Sequence, residues 1–467
     1  MIRINASDIA KAVQGEWLDG TPPSEVVGVG TDTRESLQGK LFVAIPGERY
    51  DGHDHLAAAA EAGAVAAMVQ RMPDDSGGLP LIKVEDVRNG LADLASHHRE
   101  RLSETTVISI TGSAGKTTVR RMAETVLSMQ SRGSASPRSF NNDLGVPLTL
   151  LAASPEDRWL LVEVGTNAPG EIAALTRLVS PHVAIITGIG RAHLGGFGGE
   201  TELASEKASM LDHVREHGHA IVQADSDLIH PELEARASKP IRFTTYGRNP
   251  AANLRLTGRQ PVDGSQRIEI DGGWTTTLSL PGEHNAVNAL GVITLARHLG
   301  MSDEDIATGL GRVEPAPGRM EPVEVAGIHA VHDAYNANPE SMVAALVTFA
   351  ETAAGEGRKV AVLGEMRELG EQSDALHREV GAAAARAGLD LLVGVGAGGR
   401  AILDGARAAG HAGQAVAVTL EDDVSKIAGL CHRGDQVLLK ASRGVRLERV
   451  LDEWKNGETR TEGRSPA

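Results

Sequence analysis

One stretch constrains this chain more than any other: Thr111-Gly112-Ser113-Ala114-Gly115-Lys116-Thr117-Thr118, which follows the β-branched run Thr106 to Ile110 and precedes a helical pattern. A strand, a glycine-rich turn and a helix start, in that order, form a cradle for phosphate. The glycines let consecutive backbone amides curve around phosphate oxygens, and the new helix adds its own unpaired amides. Lys116 is placed to meet the β- and γ-phosphates, and the Thr117 hydroxyl to coordinate magnesium. Ile110 occupies the position of the usual first glycine, which departs from the generic P-loop pattern. The competing reading is a glycine-rich turn with a solvent-facing lysine.

A doubly covered parallel sheet is the natural frame for such a loop. Near-continuous apolar runs at Thr106 to Ile110, Trp159 to Val164, Val183 to Thr187 and Ala220 to Val222, separated by helical stretches, predict one. Residues 250–280 break the rhythm with alternating polar and β-branched positions, as in Gln266 to Ile270 and Thr275 to Leu280, and predict appended antiparallel strands. Upstream, the strand Leu41 to Ile45, the helix His55 to Glu61 and the strand Ala66 to Val69 form a small α/β module. Downstream of the Pro/Gly-rich segment Glu314 to Gly318, strand-like runs at Lys359 to Gly364, Leu391 to Val395 and Gln436 to Lys440 predict a third α/β unit. At 467 residues the chain exceeds a single core. The expectation is three domains, 1–102, 103–314 and 315–454, with 455–467 an unstructured tail.

Several residues outside the loop invite chemistry. Glu163 ends a buried strand, where a carboxylate costs several kcal/mol unless it is paired, binds metal or caps the next helix. His193 follows the strand ending at Thr187 through a glycine-rich turn, which puts it beside the phosphates or in an ordinary loop hydrogen bond. Lys207, in the acid-crowded segment Glu200 to Ala208, reads as a solvated lysine on a surface helix, paired with Glu200 or Glu206. Asn285 and Asn288 share a helix face and could hydrogen-bond a purine or cap the helix. The segment His332 to Pro339 carries more polar groups than a turn requires and suggests nucleotide or substrate contact. Arg319 could bridge two domains.

These residues together resemble the Mur ligase family. The resemblance runs over nearly the whole chain: Thr33-Arg34, Gly39 to Ala44, Asp51-Gly52-His53, the loop Thr111 to Thr118, Asn141 to Pro147, Glu163 with Pro169 to Ile172, Ala192-His193-Leu194, His284 to Asn288 and Asp333 to Pro339. It implies a three-domain α/β architecture, with a central P-loop mononucleotide-binding parallel sheet and a C-terminal Rossmann-like domain. It also implies an ATP- and magnesium-dependent amide ligase of cell-wall precursor synthesis that works through an acyl phosphate. The forms of the Asn141 and Asp333 segments point to the branch whose substrates are UDP-N-acetylmuramoyl tripeptide and D-alanyl-D-alanine. By resemblance, Gly112 to Thr118, Asn285, Asn288, Arg319, Asp333 and Tyr335 belong to ATP. Thr117, Glu163, His193 and a carbamylated Lys207 belong to magnesium, and Lys116, His193 and Lys207 are catalytic. Thr33, Arg34, Lys40, Leu41, Phe42, Asn141 and Asn142 lie on the UDP side, and Asn336 and Asn338 on the D-alanyl-D-alanine side.

Composition removes other classes. A net charge of -16 argues against sequence-independent nucleic-acid binding, which draws on basic side chains. No apolar stretch is long enough to span a bilayer, and Asp8, Lys11, Glu16 and Asp19 interrupt any signal peptide, so a cytoplasmic monomer without membrane insertion is expected. The single cysteine, Cys431, reads as structural. Other Mur-family amino-acid ligases, folate polyglutamate ligases, a small-molecule kinase and a nucleotide-sensing scaffold are the alternatives.

Overall fold

The computed structural model describes all residues except 19, 48, 138, 193, 354, 356, 420–423 and 463–467, and leaves the side chains of 458–462 undescribed. Three principal sheets organise the described residues. The first orders Glu16–Trp17, Leu81–Lys83, Ala66–Val69, Leu41–Val43 and Val29–Gly30, all parallel except the Glu16–Trp17 edge.

The middle sheet has nine strands. Its parallel part runs from Gly133–Ala135 through Trp159–Glu163, Thr106–Thr111, Val183–Ile186, His219–Gln223 and Arg242–Gly247 to Leu254–Val262. Ser265–Ile270 and Trp274–Leu278 then extend it antiparallel. Thr106–Thr111 is the switch point: after it the chain first builds the Trp159–Glu163 side and later returns to build the Val183–Ile186 side. In an open parallel sheet the crevice beyond the carboxyl ends of such strands is where ligands sit. The register sets Glu163 beside Ile110 and Ile186 beside Thr111, so the ends of these three strands open onto one place. The third sheet orders Glu321–Val325, Ile328–His332, Gln436–Lys440, Lys359–Leu363, Leu391–Val395 and Gln414–Val418, with only its first strand antiparallel.

The two seams between these units differ. Between the first and middle sheets a single apolar cluster runs from Ile2, Ile9 and Leu94 to Leu160, Val162 and Ile186. Buried Arg99, on the helix Val87–Glu100, donates to the carbonyls of Val179 (2.7 Å) and Ser180 (2.8 Å) and so ends the helix Glu171–Val179. The middle and third sheets instead meet across a cleft with charged walls.

Two expectations differ from the structure. Arg242–Gly247 is a strand that its polar sequence did not announce, paired parallel on both sides, with Tyr246 its one fully buried side chain; Leu254–Val262, within the predicted 250–280 strands, joins it parallel and pairs antiparallel with Ser265–Ile270. The tail is helical further than composition suggested: Glu448–Glu462 is one helix. Its first half docks through Val450, Leu451 and Trp454, whose indole donates to Ala428 O at 3.2 Å, and a docked helix propagates cheaply. Cys431 is buried, and burial pushes its thiol up to about 12, which makes it inert as a nucleophile.

Candidate active site

The loop after Thr111 turns over Gly115, whose φ of 85° favours glycine and whose missing Cβ would lie 2.8 Å from Asn288 Oδ1. The helix Lys116–Leu127 starts there. Ser113 turns its amide away from the cradle, onto Gly188 O at 2.8 Å, while the amides of Ala114 to Thr118 have no partner among the described residues. Lys116 folds back over the loop, with Nζ on Gly112 O at 2.7 Å. Desolvation lowers the pKa of its ammonium, and Glu163 opposes the shift.

Glu163 is 1% exposed. It accepts from Thr117 Oγ1 (3.0 Å) and Asn141 Nδ2 (3.0 Å), and its nearest cation, Arg120 Nε, is 3.9 Å away. Arg319 crosses the cleft to donate to Thr117 Oγ1 at 3.1 Å and lies over the Tyr335 ring, 4.5 Å from its centroid.

Lys207 overturns its plain reading. It is 1% exposed and has no hydrogen-bond or ion-pair partner among the described residues. The acid expected to pair with it, Glu206, instead accepts from the amides of Gly170 and Ile172, each at 2.8 Å, at the start of the helix Glu171–Val179. Desolvation first, and the Lys116 charge second, push the Lys207 amine down to about 7.

Opposite the loop, the segment after Ile328–His332 brings Asp333 and Asn336 to buried Lys440 at the end of its strand: Nζ meets Asp333 Oδ2 at 2.6 Å and Asn336 O at 3.2 Å. Asn338 caps the helix Pro339–Thr352 in a capping box with Ser341, and its Nδ2 reaches Ser113 O at 3.3 Å. The phosphate loop, Asn285, Asn288, Arg319, Asp333, Asn336, Asn338 and Lys440 all line one cleft of about 1120 Å3. A smaller cavity of about 200 Å3, lined by Asn336, Asn338, Arg367, Ser442 and Arg443, adjoins it.

Three family profiles match: "Mur ligase family, catalytic domain" over residues 25–99, "Mur ligase middle domain" over 110–296 and "Mur ligase, glutamate ligase domain" over 318–443. The UDP-N-acetylmuramoyl-tripeptide--D-alanyl-D-alanine ligase of Bacillus subtilis is 33% identical over 97% of this chain and 98% of its own. The Escherichia coli enzyme of that name is 34% identical over the same shares. This chain belongs to the Mur ligase family. Among solved structures, MurF from Acinetobacter baumannii superposes with a TM-score of 0.87 at 32% identity, covering 98% of this chain and 99% of the other. MurF ligase from Thermotoga maritima in complex with ADP gives 0.77 at 29%, covering 93% and 98%.

In this Mur ligase, the remaining candidate residues take the following places. Leu41 and Phe42 are core: 0% and 1% exposed, on a strand paired on both sides, so neither side chain can face a substrate. Thr33, Arg34 and Lys40 lie on the turn before that strand, where Arg34 pairs with Asp32 and Lys40 Nζ donates to Ser36 O. Asn141 donates to Glu163, and Asn142 Oδ1 accepts from Gly145 N at 2.9 Å, ordering the start of the helix Gly145–Ala152. Asn285 donates back to Pro281 O at 2.7 Å. His193 lies outside the described residues. Sequence reasoning missed Lys440 as a site residue, along with Arg120 and Arg191. For Lys440 a usable signal existed, a lysine closing a buried parallel strand.

Proposed function

We propose that this Mur ligase uses ATP to join D-alanyl-D-alanine to UDP-N-acetylmuramoyl tripeptide in the cytoplasm. One observation carries the reading: the phosphate loop with Thr117 and Glu163 on one wall, and the Asp333 to Asn338 segment on the other, enclose a single cleft large enough for a nucleotide and a reacting pair. The identity of the relatives over the full chain supports the choice of substrates.

The donor set suits magnesium. Glu163 and Thr117 offer hard oxygens, and a buried carboxylate whose ion pair, to Arg120 Nε, is as long as 3.9 Å still favours a cation. Thr117, Glu163, His193 and carbamylated Lys207 would hold magnesium, which supplies charge neutralisation of the phosphate oxygens. Carbamylation requires a neutral amine to attack carbon dioxide and then lose a proton. The depressed pKa of Lys207 provides that amine near neutral pH.

ATP lies with its phosphates on the amides of Ala114 to Thr118 and on Lys116, with Asn285 and Asn288 on its adenine side. Arg319, Asp333 and Tyr335 reach the nucleotide from the third domain. Charge that grows on the γ-phosphoryl oxygens as they pass to the tripeptide carboxylate meets Lys116 and these fixed amides. The dipeptide, held near Asn336 and Asn338, attacks the acyl carbon through its neutral amine, and phosphate leaves. Because water competes for the same carbon, the closed cleft is part of the chemistry.

Incubation with ATP, magnesium, UDP-muramoyl tripeptide and D-alanyl-D-alanine, each omitted in turn, tests this. Amide formation should require all four, and oxygen-18 in the tripeptide carboxylate should appear in released phosphate. A stable phosphorylated product with no amide would instead mark a kinase.

A further inference from the structure

We propose that Arg191 is a positioning residue for the second half of the reaction, holding the Asn336–Asn338 segment against the phosphate loop while the amine attacks. The proposal rests on the acyl-phosphate reading above, because it concerns how that intermediate is protected and captured.

Arg191 ends a turn stitched to the phosphate loop at Ser113. Ser113 N donates to Gly188 O at 2.8 Å, Ser113 Oγ to Gly190 O at 2.8 Å, and Gly190 N to Ser113 Oγ at 2.9 Å. From the other end of the turn the Arg191 side chain reaches across the cleft. Its Nε donates to Glu340 Oε1 at 2.8 Å, and its two terminal nitrogens donate to the Glu379 carboxylate at 2.7 and 2.8 Å. The planar guanidinium fork suits two carboxylates arriving from two helices, here Pro339–Thr352 and Ser373–Arg386. Glu340 also accepts from the Arg191 backbone amide at 3.2 Å, and a Cβ on Gly190 would lie 2.9 Å from its Cδ, so a larger residue there would push the Glu340 side chain aside.

The contacts close a circuit. Glu340 is the second residue of the helix capped by Asn338, and Asn338 Nδ2 returns to Ser113 O. The phosphate loop and the segment assigned to the dipeptide are therefore joined twice at one residue, Ser113. The side chains of Arg191, Glu340 and Glu379 are 25%, 38% and 49% exposed. Ion pairs that wet are weak and salt-sensitive, unlike the apolar seam between the first and middle domains. The contact can thus open to admit an amine and close before transfer. The loop amides, Lys116, Thr117 and Glu163 all lie in the middle domain, and Arg319 reaches Thr117 through a contact of its own, so phosphoryl transfer does not depend on the Arg191 bridge. Capture by the amine does.

Without the bridge, water attacks the acyl carbon, the carbon–oxygen bond to phosphate breaks, and carboxylate and inorganic phosphate result. ADP then accumulates without amide. The test is Arg191→Met with ATP, magnesium, UDP-muramoyl tripeptide and D-alanyl-D-alanine, counting ADP and amide together. The expected amide per ADP falls from about one to below about one half, and KM for the dipeptide rises about tenfold or more. Raising salt from about 50 to about 300 mM moves the unaltered enzyme the same way. The exchanged pair Arg191→Glu with Glu379→Arg should recover part of the ratio that either single change loses, which a role in folding alone would not produce. A ratio that stays at one with KM within about twofold overturns the proposal, as does equal loss of ADP release with and without the dipeptide. Absence of amide from the unaltered enzyme would strike the functional reading itself, and is told apart because it precedes any variant.

Discussion

Two buried lysines, Lys440 on the wall of the interdomain cleft and Lys207 within electrostatic reach of Lys116, are treated differently. Lys440, 2% exposed at the end of Gln436–Lys440, is fully partnered by Asp333 and the Asn336 carbonyl. Lys207, 1% exposed on the helix Glu200–Ala208, has no partner among the described residues and an amine pushed down to about 7. A buried cation with its counter-ion is architecture, here fixing the Asp333 to Asn338 segment. A buried cation left alone costs stability without return, and such a cost marks chemistry.

The strongest way to break this contrast is to replace each lysine by methionine. Lys207→Met should lower ligase turnover by about 10³-fold, the scale of losing a preorganised charge-stabilising group. It should also raise thermal stability. The folded pKa lies below the unfolded one, so between about 7 and the ordinary 10.5 the unfolded chain holds the extra proton and stability climbs with pH. The penalty is therefore complete below about 7, and the gain from Lys207→Met should be largest at acid pH and fade toward alkaline pH. A variant less stable than the parent at low pH would show that Lys207 is partnered after all. Labelled bicarbonate should give a carbamate carbon signal in the parent that the variant lacks.

Lys440→Met should do the reverse. Stranding Asp333, 8% exposed, should cost about 3–5 kcal/mol in chemical denaturation, with Asp333→Asn in the same chain restoring part of it. An unchanged denaturation midpoint would remove Lys440 from the architecture.

The same contrast explains what the sequence could reveal. The phosphate loop was legible because its chemistry is local: strand, glycines, lysine and helix follow one another, and the structure keeps them together. The parallel strands through Glu163 and Ile186 were legible from apolar continuity. Lys207 was misread without the family resemblance because its acidic neighbours look like solvated partners. Its burial was nonetheless encoded, since Leu203 and Ala204 stand four and three residues before it, and Ala208 directly after, on one buried helix stripe. The Arg319 bridge was anticipated, though not its Thr117 partner; the Arg191 contacts were not legible, because Glu340 and Glu379 lie across the cleft and far along the chain, and the partners of Lys440, on its own side of the cleft, are equally distant in sequence. Leu41 and Phe42 went the other way, since resemblance marked the segment while alternate packing of the strand buried both side chains.

Adjacent asparagines sharpen the division on a smaller scale. Asn142→Ala should cost about 1 kcal/mol, as a lost helix-start contact does, and leave turnover nearly unchanged. Asn141→Ala removes a donor to Glu163 and should lower turnover about tenfold at saturating substrates, with little effect on the thermal midpoint. Equal effects from both would dissolve the distinction between a capping asparagine and one that orients the Glu163 carboxylate.

The smallest structural effect is expected at Arg34, and that makes it informative. Its side chain is 87% exposed and bonds only to Asp32 two residues away, whose carboxyl those hydrogen bonds hold down to about 2. The pair therefore stays charged near neutral pH, and Arg34 makes no other side-chain hydrogen bond or ion pair among the described residues. Arg34→Ala should leave the melting temperature unmoved, so any kinetic change must come from substrate. If the turn before Leu41 meets the UDP moiety, KM for the UDP substrate should rise about tenfold while KM for ATP stays constant. If both constants hold, and Lys40→Ala gives the same result, this turn does not touch the nucleotide sugar. Because Leu41 and Phe42 are sealed in the core, the UDP-binding surface would then have to be sought at another part of the first domain's rim.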